Sequence, residues 1–224
     1  MDISFKENKN NISFIISNFN NEYKPVLQNQ FYTFEDNRAI KTFPKPIDNL
    51  EKIKNNYIKY NEEMILQAGY SKEVMWEAAL LEFINKVKDE KIDWWLTGSC
   101  ALKLRGIPIK PHDVDIMLHS KDLDKVKEIF IENIVWPIVS TDGWIVKYFG
   151  VLFLKGQIDL AFDPQETADD PEPSDFGPYA MNNLEEIRWK GNVVRIPPLD
   201  LQLKVNKKRG RTNRVKAIEA FLNN

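Results

Sequence analysis

Cysteine is almost missing from this chain. Cys100 is the only one, so no internal disulfide can form, and a reducing, cytoplasmic setting is expected. Histidine is nearly as scarce: His112 and His119 are the only two, and with a single cysteine they leave no zinc-type ligand set. The start of the chain lacks an apolar run of signal-peptide length, and no later run is long enough to span a bilayer, so no membrane partner is expected. Charge of one sign is not in excess either. Lys and Arg number 31 against 33 Asp and Glu, a net charge of -2. A protein that grips long nucleic acid needs a broad cationic surface, so that partner is not expected.

What is present is enough for a substantial core. The chain has 224 residues, of which 43% are hydrophobic and 12% aromatic. That suits one large domain, or a core domain with a smaller attachment. The first forty-odd residues alternate short apolar runs with turn residues. Ile3 to Phe5 and Ile12 to Ile16 flank a polar Asn-rich stretch, and Phe31 to Phe34 and Ala39 to Phe43 flank Asp36-Asn37, giving two predicted hairpins. Pro44 and Pro46 then punctuate the chain. Ile47, Leu50, Ile53, Tyr57, Met64 and Ile65 recur at helical spacing, which predicts a helix over 47–67. Trp76, Ala79, Leu80, Phe83, Ile84 and Val87 predict a second helix over 72–88, with Ser71 as its N-cap.

From residue 93 the pattern changes to strands joined by short helices. Trp94-Trp95-Leu96 reads as a buried strand, broken by Gly98-Ser99 and followed by a short helix to Leu104. Val114 to Leu118 is a strand, and Ser120 opens a helix to about Asn133. Trp144 to Phe149, Val151 to Leu154 and Gln157 to Phe162 read as strands, with a turn at Gly156. Residues 164–183 are rich in proline and acid and read as a loop. A hairpin turning at Gly191-Asn192 and two helices around Gly210 close the chain. The expected fold class is α+β: a mixed β-sheet core with flanking helices and a small N-terminal β-then-α extension. The expected division is an extension over 1–70 and a main domain over 71–224 that includes the C-terminal basic helices.

Three features carry chemistry. In Asp113-Val114-Asp115 the two carboxylates sit two residues apart, so on a strand both project to one side while Val114, Ile116 and Leu118 face the core. Adjacent carboxylates repel unless a cation lies between them, and hard oxygen ligands suit Mg²⁺ or Mn²⁺. In isolation such a pair is more often a solvated strand end. Asp159 changes that weighting. It is a lone charge on the opposite face of a strand whose Ile158, Leu160 and Phe162 point inward. If its strand neighbours the first, three carboxylates converge, a set able to hold two metals for displacement at phosphorus. The third feature is Gly98-Ser99, where a strand turns into a helix. Free N–H groups and the positive dipole end there favour phosphate, and glycine lets the backbone approach it.

In this order, Leu96-Thr97-Gly98-Ser99, Asp113-Val114-Asp115-Ile116 and Ile158-Asp159-Leu160 resemble the nucleotidyltransferase superfamily of the DNA polymerase beta type. Gly98 through Gly106 is most similar to its small bacterial members, including lincosamide and aminoglycoside nucleotidyltransferases. The resemblance covers about residues 93–163. It implies a nucleoside triphosphate donor (ATP, with AMP transferred), two Mg²⁺ ions and pyrophosphate release. By position, Asp113 and Asp115 would bind metal. Asp159 would be the third carboxylate, on a metal and at the acceptor hydroxyl. Gly98 and Ser99 would hold donor phosphates. The acceptor would be a hydroxyl on a small molecule or a protein.

The basic run near the C-terminus offers Lys204, Lys208 and Arg209 as further phosphate ligands, since residues four apart share a helical face. A solvated helix face explains those cations equally well. Cys100 reads as a small core residue rather than a nucleophile. Two other functions compete: a sugar-nucleotide glycosyltransferase built on Asp-x-Asp, and a catalytically silent nucleotide-binding or antitoxin-like module. The first gives no reason for the Gly-Ser turn or for Asp159, and the intact carboxylates argue against the second.

Overall fold

The computed structural model describes residues 1–223. Its main sheet has five strands, β5(Trp94–Thr97), β6(Val114–Leu118), β7(Ile134–Ser140), β8(Val146–Leu154) and β9(Gly156–Pro164), in the order β5-β6-β9-β8-β7. Only the central β6–β9 pair is parallel, and the other neighbours are antiparallel. A second, all-antiparallel sheet precedes it, β1(Asp2–Glu7), β2(Asn11–Ser17), β3(Thr33–Glu35) and β4(Arg38–Pro44), ordered β1-β2-β4-β3. The fold is thus α+β with a mixed sheet, flanking helices and an N-terminal β-then-α extension.

Two helices join the sheets. In α2(Leu50–Ala68), Tyr57 packs edge-on against Phe5 and Phe14 of the small sheet. Next to it in the chain, the Asn56 amide donates to the carbonyls of Ile131 and Ile134 at 2.8 and 3.0 Å. A buried amide without partners costs roughly 1–3 kcal/mol, so these two bonds fix where the extension docks. Tyr32 and Tyr57 share a buried hydroxyl pair at 2.7 Å. In α3(Trp76–Val87), Ala79, Leu80, Phe83, Ile84 and Val87 are buried against the inner face of the main sheet, as the spacing predicts. One contiguous core runs through both layers, from Phe14 and Ile16 through Tyr57 and Phe83 to Ile116, Leu160 and Phe162.

The structure departs from the sequence reading in several places: the strands expected at 144–149 and 151–154 are one strand, β8, which runs through Gly150, part of the expected 164–183 loop is helical, and three further differences have local reasons. A short helix, α1(Lys24–Asn29), lies between β2 and β3. Its six residues are too few to show a period, and Pro25 in its first turn is the only local signal. Strand β7, for which the sequence reading has no element, contains Pro137. Proline removes a ladder donor and is tolerated on edge strands and at bulges, and β7 is an edge strand with register shifts flanking Trp136. The second amphipathic helix starts at Trp76, not near Lys72, and Ser71 does not cap it. Residues 71–75 form an irregular connection, in which the Met75 N–H donates to Gln67 Oε1 at 3.3 Å.

The remaining helices are α4(Gly98–Leu104), α5(Leu123–Phe130), α6(Pro178–Met181), α7(Leu199–Lys208) and α8(Thr212–Leu222). A hairpin of β10(Glu185–Trp189) and β11(Asn192–Ile196) turns through Lys190 and Gly191, both at positive φ. Among the described residues no helix is long and apolar enough to cross a membrane.

Candidate active site

Strand alternation sorts β6 and β9 into two faces. Val114, Ile116, Leu118, Ile158, Leu160 and Phe162 enter the main core. Asp115, Met117, Asp159 and Ala161 point to the other face and line a cavity of about 400 Å³. The parallel register pairs Asp115 directly with Asp159, and Thr97 of β5 flanks Asp115 on its other side. Asp113 stands just before β6, its carbonyl accepting the Cys100 thiol at 3.1 Å. One carboxylate oxygen from each of Asp113, Asp115 and Asp159 lies within 4.8 Å of the other two.

Three carboxylates this close repel one another, and the site is sheltered from water. Burial first, then the charges of Asp115 and Asp159, hold the Asp113 carboxyl well above the usual range. Burial and Asp115 push Asp159 up to about 7, partly opposed by the Gln157 amide and the Lys41 ammonium. The donor set fits a hard divalent cation. All three ligands are carboxylate oxygens, Asp113 Oδ1 is buried without any hydrogen-bond partner, and the approach to Asp115 is kept clear of side chain. That clearance comes from Gly98. Its φ is +65°, and a Cβ there would lie 1.9 Å from Asp115 Oδ2. Glycine is required at this position twice over, for the backbone angle and for the close approach.

The other expected site residues divide. Gly98 lines the cavity at the start of α4, while Ser99 is buried behind it with its hydroxyl unpartnered. The Gly98 carbonyl is pinned by the buried Gln202 amide of α7 at 3.1 Å. Arg209 faces the cavity, but Lys204 and Lys208 do not line it. Val205 and Asn206 of α7 and Arg209, which caps it, face the cavity, so Lys204 and Lys208 fall one position out of phase and point to solvent. Lys204 pairs instead with Asp200 on its own helix at 3.8 Å. Arg211 and Arg214, from the start of α8, complete the cationic wall.

Several lining residues carried no local signal. Asp175 and Phe176 belong to the acidic 164–183 segment, which folds back onto the cavity. Thr97 Oγ1 donates to the Asp175 carbonyl at 2.9 Å. Burial raises the Asp175 carboxyl to about 6 against the pull of Arg209. His112 is held below its ordinary range by burial, with Arg214 and Arg211 adding to the effect and Asp115 opposing it. Its Nδ1 is 3.4 Å from Arg214 Nη2, and its Nε2 is 3.3 Å from Asp113 Oδ2. From the extension come Phe31, in the cavity wall, and Lys41, whose Nζ donates to the Gln30 carbonyl at 2.7 Å and lies 3.9 Å from the Trp136 ring centre. Burial brings the Lys41 ammonium down to about 8, with the Asp159 charge opposing.

Comparison with known proteins matches residues 79–170 to the family described as Aminoglycoside-2''-adenylyltransferase. That segment contains Gly98, Asp113, Asp115 and Asp159, which line the cavity. Residues 1–78 and the two C-terminal helices lie outside it. Among solved structures, a candidate nucleotidyltransferase of Thermotoga maritima is 21% identical with a TM-score of 0.48, over 67% of this chain and 97% of its own. The lincosamide antibiotic adenylyltransferase LnuA, bound to lincomycin, is 14% identical with a TM-score of 0.48, over 66% and 98%. ANT(2")-Ia, in complex with adenylyl-2"-tobramycin, is 11% identical with a TM-score of 0.42, over 65% and 89%. A search of curated protein sequences finds no match.

Proposed function

We propose that this chain is a nucleotidyltransferase that moves a nucleotide, AMP from ATP, onto the hydroxyl of a small molecule and releases pyrophosphate. The observation that carries this reading is the meeting of Asp113, Asp115 and Asp159 within 4.8 Å on one sheet face, beside a glycine turn and three arginines. A small molecule is favoured over a protein side chain because the site lies within a cavity of about 400 Å³ rather than on an open surface. The family match over 79–170 supports the same class.

The roles follow from position. Asp113, Asp115 and Asp159 would hold Mg²⁺, or Mn²⁺, which when bound supplies charge neutralisation at the phosphates and polarises the reacting oxygens. Gly98 lets the donor phosphates approach the free N–H groups opening α4, with the Ser99 hydroxyl behind them. Arg209, Arg211 and Arg214 balance the remaining phosphate charge, Arg209 being the member of the expected basic set that faces the donor. Asp159, at the edge of the donor cavity, orients the acceptor hydroxyl. The acceptor oxygen bonds to the α-phosphorus, the α–β bridging P–O bond breaks, and pyrophosphate leaves with that electron pair. The hydroxyl proton passes to the Asp159 carboxylate. In this reading residues 1–70 are an accessory extension, residues 71–224 the transferase domain, and the enzyme works in the cytoplasm.

The test is incubation of the purified protein with α-labelled ATP, Mg²⁺ and a small-molecule extract. Label should appear on a new compound together with pyrophosphate, and Asp115→Asn should abolish both while keeping the wild-type melting temperature. Release of nucleoside diphosphate from sugar nucleotides, or label transfer that survives Asp115→Asn, would overturn the reading.

A further inference from the structure

A second chamber opens on the far side of the carboxylates from Gly98 and Arg209. It has a volume of about 410 Å³. It shares Asp113, Asp159, His112, Phe31, Phe149 and Arg211 with the first but reaches none of Gly98, Asp175 or Arg209. Its remaining wall comes largely from the N-terminal extension: Val26, Asn29 and Gln30 around the end of α1, and Ala68 at the end of α2. In-line displacement needs the attacking and leaving oxygens on opposite sides of phosphorus. With the donor phosphates in the first chamber, the second is where the attacking hydroxyl must enter.

Its polar groups are directed. Gln157 Nε2 donates to Asp159 Oδ1 at 2.7 Å, and Gln30 Nε2 donates to Gln157 Oε1 at 3.0 Å. The carboxylate fixes both amides: Asp159 accepts, so Gln157 must turn its NH₂ to it and its oxygen to Gln30, which must then donate. The oxygen left over is Gln30 Oε1. It is buried, has no partner, and belongs to a side chain in the chamber wall. A buried acceptor without a donor is unfavourable, and a ligand O–H would satisfy it. The next residue, Phe31, holds a φ of +61° and is 72% exposed at the opening of both chambers. That conformation is strained for a bulky residue, and such strain concentrates where a side chain meets ligand. Trp136 and Phe149 add aromatic surface.

The charges exclude one class of ligand. Among the described residues the carboxylates lining the chamber are Asp113 and Asp159, both committed to the cation, while Arg211 and His112 line it and Lys41 stands behind Gln30 and Trp136. A polyamine would find no free counter-charge and a guanidinium beside it. We propose that the second chamber is the acceptor site and that it takes uncharged hydroxyl compounds with an apolar ring face, seated against Phe31 and bonded to Gln30 Oε1, rather than polycations. This deepens, and rests on, the nucleotidyl-transfer reading.

Phenyl β-D-glucopyranoside serves as the neutral probe and tobramycin as the polycation. Binding of each to the full chain is followed by ligand-observed NMR, with calorimetry of Mg²⁺–ATP on the same samples. The glucoside should bind the wild type, and at least tenfold more weakly the variants Ala68→Trp and Val26→Trp, which fill the second chamber only. Both variants should keep wild-type Mg²⁺–ATP affinity, which also shows that they fold. Tobramycin binding in preference to the glucoside, or glucoside binding indifferent to both substitutions, overturns the acceptor assignment. Loss of Mg²⁺–ATP binding in the wild type would instead overturn the nucleotide reading, leaving the chamber to be judged on the glucoside alone.

Discussion

Replacing Gly98 with alanine separates stability from chemistry. Gly98 has φ +65°, and a Cβ built on it meets Asp115 Oδ2 at 1.9 Å, Cγ at 2.8 Å and Cβ at 3.3 Å. The backbone angle costs a non-glycine residue roughly 1–2 kcal/mol. In a domain of this size that lowers the melting temperature by about 2–8 °C, at roughly 2–4 °C per kcal/mol. The overlap is a different matter. Ordinary contact begins near 3.4 Å, so the Asp115 oxygen must retreat by about 1.5 Å. Displacements of about 1 Å at a reacting centre cost on the order of a hundredfold in rate. Gly98→Ala should therefore stay folded with a modest loss of stability, while Mn²⁺ binding followed by electron paramagnetic resonance weakens by about tenfold or more. In an Asp115→Ala background the two nearest atoms are gone, and the stability penalty should shrink towards that of the backbone angle alone. A Gly98→Ala protein with wild-type Mn²⁺ affinity would refute the argument that this glycine exists to clear the carboxylate.

Arg209→Ala should weaken Mg²⁺–ATP binding by about tenfold or more, since a hydrogen bond to a charged group contributes roughly 1.5–3 kcal/mol, whereas the Lys204→Ala, Lys208→Ala double variant should change it by less than about twofold. Calorimetry distinguishes the two, and equal losses would return the solvent-facing lysines to the site. Glu7 pairs with Lys54 and also accepts from Lys45 at 2.9 Å; these two bonds, Lys54 first, draw its carboxyl down to about 2. A depressed carboxylate adds stability that is complete above the unfolded value near 4.5 and is lost as pH falls towards about 2. Thermal melts of Glu7→Gln should therefore differ from wild type above pH 5 and converge with it near pH 2, and a constant offset across that range would count against the pairing. Fluorescence titration with transfer RNA at physiological salt should show no saturable binding, since the cavity arginines form a pocket and not a track. Tight binding with a steep salt dependence would make an RNA end the acceptor.

The parts of this protein written locally were those with a period or a motif. Alternation alone put Asp115 and Asp159 opposite Ile116 and Leu160, and the amphipathic spacing of Trp76 to Val87 placed that helix on the sheet. The Gly98 turn was marked by glycine itself. Tertiary structure decided which strands became neighbours. Nothing within 157–162 states that this strand lies parallel to β6 and brings Asp159 level with Asp115, because that register is set by burying Ile158, Leu160 and Phe162 under α3. It also chose among the cations. Lys204, Lys208 and Arg209 are equivalent in sequence, but the phase of α7 is fixed by the buried Leu201, Gln202 and Val205, and that phase turns Arg209 inward and the lysines out. The extension shows the same dependence most fully. Phe31, Gln30 and Lys41 carry no signal of their own, and they reach the carboxylates because Tyr57 and Asn56 of α2 fasten the small sheet to the large one.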